Sequence, residues 1–207
     1  MVTSKAEMDK MIAALAGVDV FHLALGQFVA KFSETEALIQ TTLWELAGVE
    51  PPTAQAVFSG IRTDGAMQYI NRIAAAQNWP QPRADLALYA FAQLVPINKL
   101  RNNILHYGAQ LVGPDSWRIS NENFVHVPKN ISSSVISPAS LKQAQADLDE
   151  IDLILIDLLL MGRPGDYRAG ARPTWQYKQP PQADRRQQNR DKPPKQRHRP
   201  RSSGESR

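Results

Sequence analysis

Between Asp19 and Leu46 apolar side chains return every three or four residues, as Phe21, Leu25, Phe28, Val29, Phe32, Leu38, Ile39, Leu43 and Leu46. Only an α-helix gathers that spacing onto one side, and so broad a stripe marks a core helix. Gly48 and Pro51-Pro52 end it. The rest of the chain must then supply partners for this stripe, and most of its segments also read as helical.

Val2 to Ala16 reads as a short mixed helix with Met8, Met11, Ile12 and Leu15 at helical spacing, a packing role, and Gly17 able to stop it. Residues 53–78 read as a third helical region, interrupted near Thr63-Asp64-Gly65, with Met67, Ile70, Ile73 and Ala74 as its buried set. Trp79-Pro80-Gln81-Pro82 closes that region. The segment Arg83 to Tyr107 carries Leu86, Leu88, Phe91, Leu94, Val95, Ile97, Leu100, Ile104 and Leu105. It also carries Pro96 in its interior, where a kink is expected. Ser137-Pro138 has the N-cap and N1 signature of a last helix, in which Leu141, Ala144, Leu148, Ile151, Leu155 and Leu158 step by three and four.

Gly108 to Lys129 abandons that periodicity. Ala109–Val112, Trp117–Ile119 and Phe124–Val127 are strand-like runs around turn-forming Gly113-Pro114-Asp115, so a small hairpin or extended insert is expected. His126 stands alone in this insert, without companion ligands, and reads as a surface or structural residue. The fold class that follows is all-α, a bundle of four or five helices with a small β-hairpin insert.

Charge divides the chain in two. Residues 1–162 hold eleven Lys and Arg against sixteen Asp and Glu, a net of −5, whereas 163–207 hold thirteen against four, a net of +9. After Gly162 aliphatic residues nearly vanish in favour of Arg, Gln, Pro, Gly and Ser, a composition that buries too little apolar surface to offset the entropy of ordering. We therefore expect a helical domain at 1–162 and a disordered basic tail at 163–207. Two uses of the tail stand level: a solubilising or protein-binding segment, or an RNA contact through Arg185, Arg186, Arg190, Lys192, Lys195, Arg197 and Arg199, with Trp175 and Tyr177 against bases. The chain has no cysteine, which excludes disulfides and thiolate metal sites. Ile151–Met161 is too short and too charged to cross a membrane, and the N-terminus lacks a signal-like apolar run. A cytoplasmic protein without a membrane partner is the expectation.

The most reactive combination of side chains is Leu100-Arg-Asn-Asn-Ile-Leu-His-Tyr-Gly108. Gly108 is the expected C′ residue, which places His106 in the last turn, where the negative end of the helix dipole favours imidazolium. A His can give or take a proton at cellular pH, and Arg101 offers a permanent planar charge matched to phosphate oxygens. Asn102 lies four before His106 on the same face and can orient the imidazole or a scissile group. Arg101 and His106 lie five apart and diverge by about 140°, so one helix cannot easily aim both at a single phosphate. A two-fold pair of such helices meets the geometry more simply. The bland alternative is that both residues only satisfy the last carbonyls of the helix.

Arg101-Asn-x-x-x-His106 followed by Gly, preceded by an apolar helix, resembles the Rx4-6H motif of the HEPN family in its four-residue-gap form. The long early segment from Leu25 through Phe32, Glu36 and Leu43 looks like that family's long early helix, and the likeness covers roughly residues 20–161. The resemblance implies a HEPN-like bundle that acts as a homodimer, with Arg101, Asn102 and His106 as the catalytic set. It implies metal-independent endoribonuclease activity without a cofactor, in which 2′-hydroxyl attack leaves a 2′,3′-cyclic phosphate. It also raises a toxin or defence role, with an antitoxin or other protein partner. The alternative is a non-catalytic HEPN-like dimer that binds RNA, nucleotide or a protein. Tyr107 directly follows His106, unlike the His-x-Tyr of a common toxin form, and takes no role. Glu36 is either a solvated helix residue, the commoner fate, or a carboxylate that reaches the Arg101 cluster.

Overall fold

The computed structural model describes residues 4–127, 130–160 and 177, with residues 6–16 described by backbone alone. The core stripe belongs to α1 (Lys5–Ala47), whose Phe21, Ala24, Phe28, Phe32, Thr35, Ile39, Thr42 and Leu43 are all buried. Fully burying a Phe or Leu side chain is worth about 2 kcal/mol, so this one face supplies much of the driving force. Thr35 and Thr42 tolerate burial because their hydroxyls donate back to the carbonyls of Lys31 and Leu38, at 3.3 and 2.8 Å. Leu25, Val29, Leu38 and Leu46 form the half-buried flanks of the stripe.

The expected stop at Gly17 does not occur, and the two helices read on either side of it are one. A helical Gly costs about 1 kcal/mol relative to Ala, too little to end a helix held from both sides. Its use is space, since a Cβ on Gly17 would lie 3.2 Å from the carbonyl oxygen of Pro114 in the insert.

The third region does divide, earlier than expected. α2 (Pro51–Phe58) ends before Ser59-Gly60, where Gly60 takes a positive φ of 79°, and α3 (Thr63–Ala76) begins at the tripeptide read as the breaker. Asp64 in a first turn complements the helix dipole, so the same residues that signal an interruption also open a helix. Gln40 of α1 holds the intervening loop by donating to the Ile61 carbonyl at 2.7 Å.

α4 (Gln81–Tyr107) is helical through Pro96. Pro96 has no N–H for the Ala92 carbonyl, and Ala92 is exposed, where water can serve it instead. α5 (Pro138–Leu160) starts as its sequence predicts: Ser137 Oγ accepts from the Ser140 N–H at 3.2 Å and Ser140 Oγ accepts from the Ser137 N–H at 2.9 Å. Its six seam residues are all buried. α1 packs along α5 and α3, and α4 packs on α5 and α3. Arg83 ties the start of α4 to the end of α5, donating to the Leu158 carbonyl at 2.8 Å while its guanidinium lies 3.7 Å from the Trp79 ring centroid. Burial holds its pKa below the ordinary arginine value.

The insert is a three-stranded antiparallel sheet in the order β1 (Gln110–Gly113), β2 (Ser116–Ser120), β3 (Ser133–Ile136). Its hairpin register pairs Gln110 with Arg118 and Leu111 with Trp117, and β3 sets Ile136 opposite Trp117. The third strand is not Phe124–Val127, which is a turn and bend. Asn121 shapes that loop by accepting the Ser132 N–H at 2.8 Å and donating to the Asn130 carbonyl at 3.3 Å. Trp117 stacks on Phe21, with centroids 4.1 Å apart and planes 10° from parallel, which seats the sheet on α1. Among the described residues the architecture is thus mainly helical, five helices with a small antiparallel sheet, and no helix is long and apolar enough to cross a membrane.

Candidate functional site

Three helices bring polar side chains together around Arg101. From α1, Glu36 places Oε2 3.6 Å from Arg101 Nη2 while its Oε1 accepts from the Thr63 hydroxyl at 2.6 Å. From α3, Asp64 Oδ1 accepts from Asn98 Nδ2 at 3.1 Å. Asn98 Oδ1 in turn accepts from Asn102 Nδ2 at 3.2 Å, and Asn102 Oδ1 accepts from Arg101 Nη1 at 3.0 Å. The chain of bonds runs Asp64, Asn98, Asn102, Arg101, Glu36, Thr63, and each link fixes the orientation of the next.

The sequence explains why these groups meet. Asn98 and Asn102 are four apart on α4, so their amides stack on one face. Glu36 stands beside Thr35 on α1 with Phe32 one turn earlier, and the Arg101 guanidinium lies 5.2 Å from the Phe32 ring centroid, within cation–π range. Arg101 is therefore held by a ring below, a carboxylate on one side and an amide oxygen on the other. Its side chain is 25% exposed, and its Nε is buried without a hydrogen-bond partner. A guanidinium has five N–H donors, and this one retains spare capacity at the edge of a cluster that opens to solvent.

His106 occupies the last turn of α4, as expected, with Gly108 beyond it at φ 69° and the Gly108 N–H returning to the Ile104 carbonyl at 3.0 Å. It is exposed and makes no hydrogen bond or ion pair among the described residues. One chain thus brings Arg101 and Asn102 together but leaves His106 outside their network. Tyr107 is half-buried and tilts against the exposed Phe124 at 5.4 Å.

Glu36 takes the less common of its two readings. Asp64, Asn98 and Thr63 were not singled out for the site. The signal available was the i, i+4 pair Asn98 and Asn102 on the same helix as Arg101, while Asp64 was hidden inside a turn-like tripeptide. Arg185, Arg186, Arg190, Lys192, Lys195, Arg197 and Arg199 lie outside the described residues, as does Trp175. Tyr177 is described, and it packs half-buried against the helical core. Among the described residues no group of three or more His, Asp or Glu side chains is placed to hold a metal ion. No protein-family model, curated protein or solved structure matches this chain.

Proposed function

We propose that this chain is a metal-independent endoribonuclease of HEPN type that works as a homodimer, with Arg101 and His106 as its catalytic pair. The observation that carries the reading is the preorganised Arg101. A surface arginine that merely satisfies helix carbonyls needs no Glu36, no Asn102 and no ring beneath it, whereas a guanidinium that must meet phosphorus-bound charge gains from fixed orientation. In this mechanism His106 removes the proton of a ribose 2′-hydroxyl or protonates the leaving oxygen. Arg101 stabilises the charge that builds on the phosphate, and Asn102 positions the guanidinium.

The outer face of α4 supports pairing. Leu88, Ala92, Val95, Lys99, Asn102 and His106 follow one another by steps of four and three, so they share one face, and Leu88 and Val95 are each about half exposed. A two-fold crossing at the Asn102 to His106 end of that row would set His106 of one subunit close to Asn102 and Arg101 of the other. A second reading, a non-catalytic module that binds RNA, nucleotide or a protein partner, is favoured by the Glu36 carboxylate, which already offsets part of the Arg101 charge.

The deciding experiment is cleavage of a broad RNA set in EDTA by the native protein, Arg101→Ala and His106→Ala. Cleavage by the native protein alone supports the enzyme. Intact RNA, bound equally by all three, supports the binding module. Mixing the two alanine variants adds geometry, because regained activity would mean that Arg and His of one cleft come from different subunits.

A further inference from the structure

The segment after α5 is rich in Arg and Lys. Tyr177, seventeen residues beyond Leu160, nevertheless lies back against the bundle. Its N–H donates to Gln93 Oε1 of α4 at 2.8 Å. Its ring packs on the core, and its hydroxyl is buried without a hydrogen-bond partner. Asp147 of α5 is the charge that acts on that hydroxyl; the carboxylate is itself buried and accepts from Gln143 at 3.0 Å. Removal from water, and then the Asp147 charge, push the phenol above its ordinary pKa, so the neutral form is the one that fits.

We propose that the surface of α4 and α5 at Gln93 and Asp147 is a docking site for the chain's own C-terminal segment, with Tyr177 as its anchor. The chemistry already in place selects that occupant. A backbone N–H captured by a side-chain amide is a contact made to a peptide, and a ring supplies most of the binding area a short segment can offer. The tether makes even weak intrinsic affinity sufficient, because a linker of this length holds the segment at an effective concentration on the order of millimolar. Seventeen residues span at most roughly 56 Å, ample for return to α4, which packs beside α5. The buried hydroxyl contributes no bond, so shape and the Gln93 contact carry the recognition.

The test is limited trypsin digestion of the full chain, following cleavage after Lys178 with cleavage after Arg197 as an internal standard. Synthetic peptides of residues 172–184 with the same substitutions correct for local sequence. Native protein should be protected after Lys178, and Tyr177→Ala should raise that rate by about tenfold or more, the scale of losing one buried ring. Gln93→Ala should raise it by about threefold, and Tyr177→Phe should leave it unchanged. Helical content by circular dichroism shows that each variant is folded, and Gln93→Ala serves if Tyr177→Ala is not. Equal rates for native protein and Tyr177→Ala would overturn the proposal, as would a Tyr177→Phe that behaves like Tyr177→Ala. Protection that fades on dilution from 100 to 1 μM, at a fixed protein-to-trypsin ratio, would place the segment on a second copy and overturn the intrachain anchor.

Discussion

Lys31 and Arg101 are both cations wedged between helices, and they are held in different ways. Lys31 of α1 meets Asp149 and Asp152 of α5 at 2.6 and 2.8 Å, with Glu34 at 3.8 Å. Arg101 has one carboxylate at 3.6 Å, which it shares with the Thr63 hydroxyl, and a buried Nε without a partner. The ammonium is neutralised within the fold by two close carboxylates, so its charge serves to join α1 to α5. The guanidinium is oriented more than it is neutralised, and that is the condition in which a charge can still act on something outside the protein.

The largest expected effect breaks the comparison on the Arg101 side. Under the proposed function, Arg101→Ala and His106→Ala should each lower RNA cleavage by roughly a hundredfold or more, with chelators inert and folding stability changed little. Loss of stability without loss of turnover would make Arg101 a second Lys31. On the other side, Lys31→Ala should cost about 2 kcal/mol in denaturant unfolding, the scale of removing hydrogen bonds to charged groups, while cleavage per folded molecule stays at the native level.

Smaller effects sharpen the difference. Glu36→Gln keeps an oxygen for Thr63 but removes the charge beside Arg101, so cleavage should change by roughly threefold to tenfold with stability within about 1 kcal/mol. Asn102→Ala should fall in the same range, because orienting a catalytic group is less demanding than being one. The smallest effect is in alkali. Burial alone would lower the Lys31 pKa, but bonds to Asp149 and Asp152 and their charges outweigh it and hold the ammonium above its ordinary value of 10.5. A raised folded value means that this contribution is fully present below about pH 10.5 and is lost as pH rises through the folded value. The stability gap between native protein and Lys31→Ala should therefore narrow only above pH 10.5; a gap that closes near neutrality would contradict the assignment.

What could be read in advance follows from how local each signal is. The α5 start was legible because Ser137 and Pro138 act within one turn, and the α1 and α5 stripes were legible because burial imposes their period. Gly17 misled because its purpose, room for Pro114, lies about a hundred residues away in the chain. β3 was missed because Ser133 and Ser134 carry little hydrophobic signal and their pairing with β2 supplies what their composition lacks. At the site, Arg101 and Asn102 were visible in one short motif with His106, which the fold leaves outside their network. The bonds from Glu36, Thr63, Asp64 and Asn98 depend on how three helices meet, which no window of sequence contains.

The α1–α5 seam has a consequence for the order of events during synthesis. It joins the first helix to the last helix of the described bundle, with more than a hundred residues between Lys31 and Asp149. Contacts so distant in sequence must wait for loop closure and favour slow folding. While α5 is still on the ribosome, the face of α1 that packs on α5 is uncovered, so the nascent chain passes through a stage with that apolar surface open. Chaperone demand should be greatest in that interval and should end once α5 has emerged.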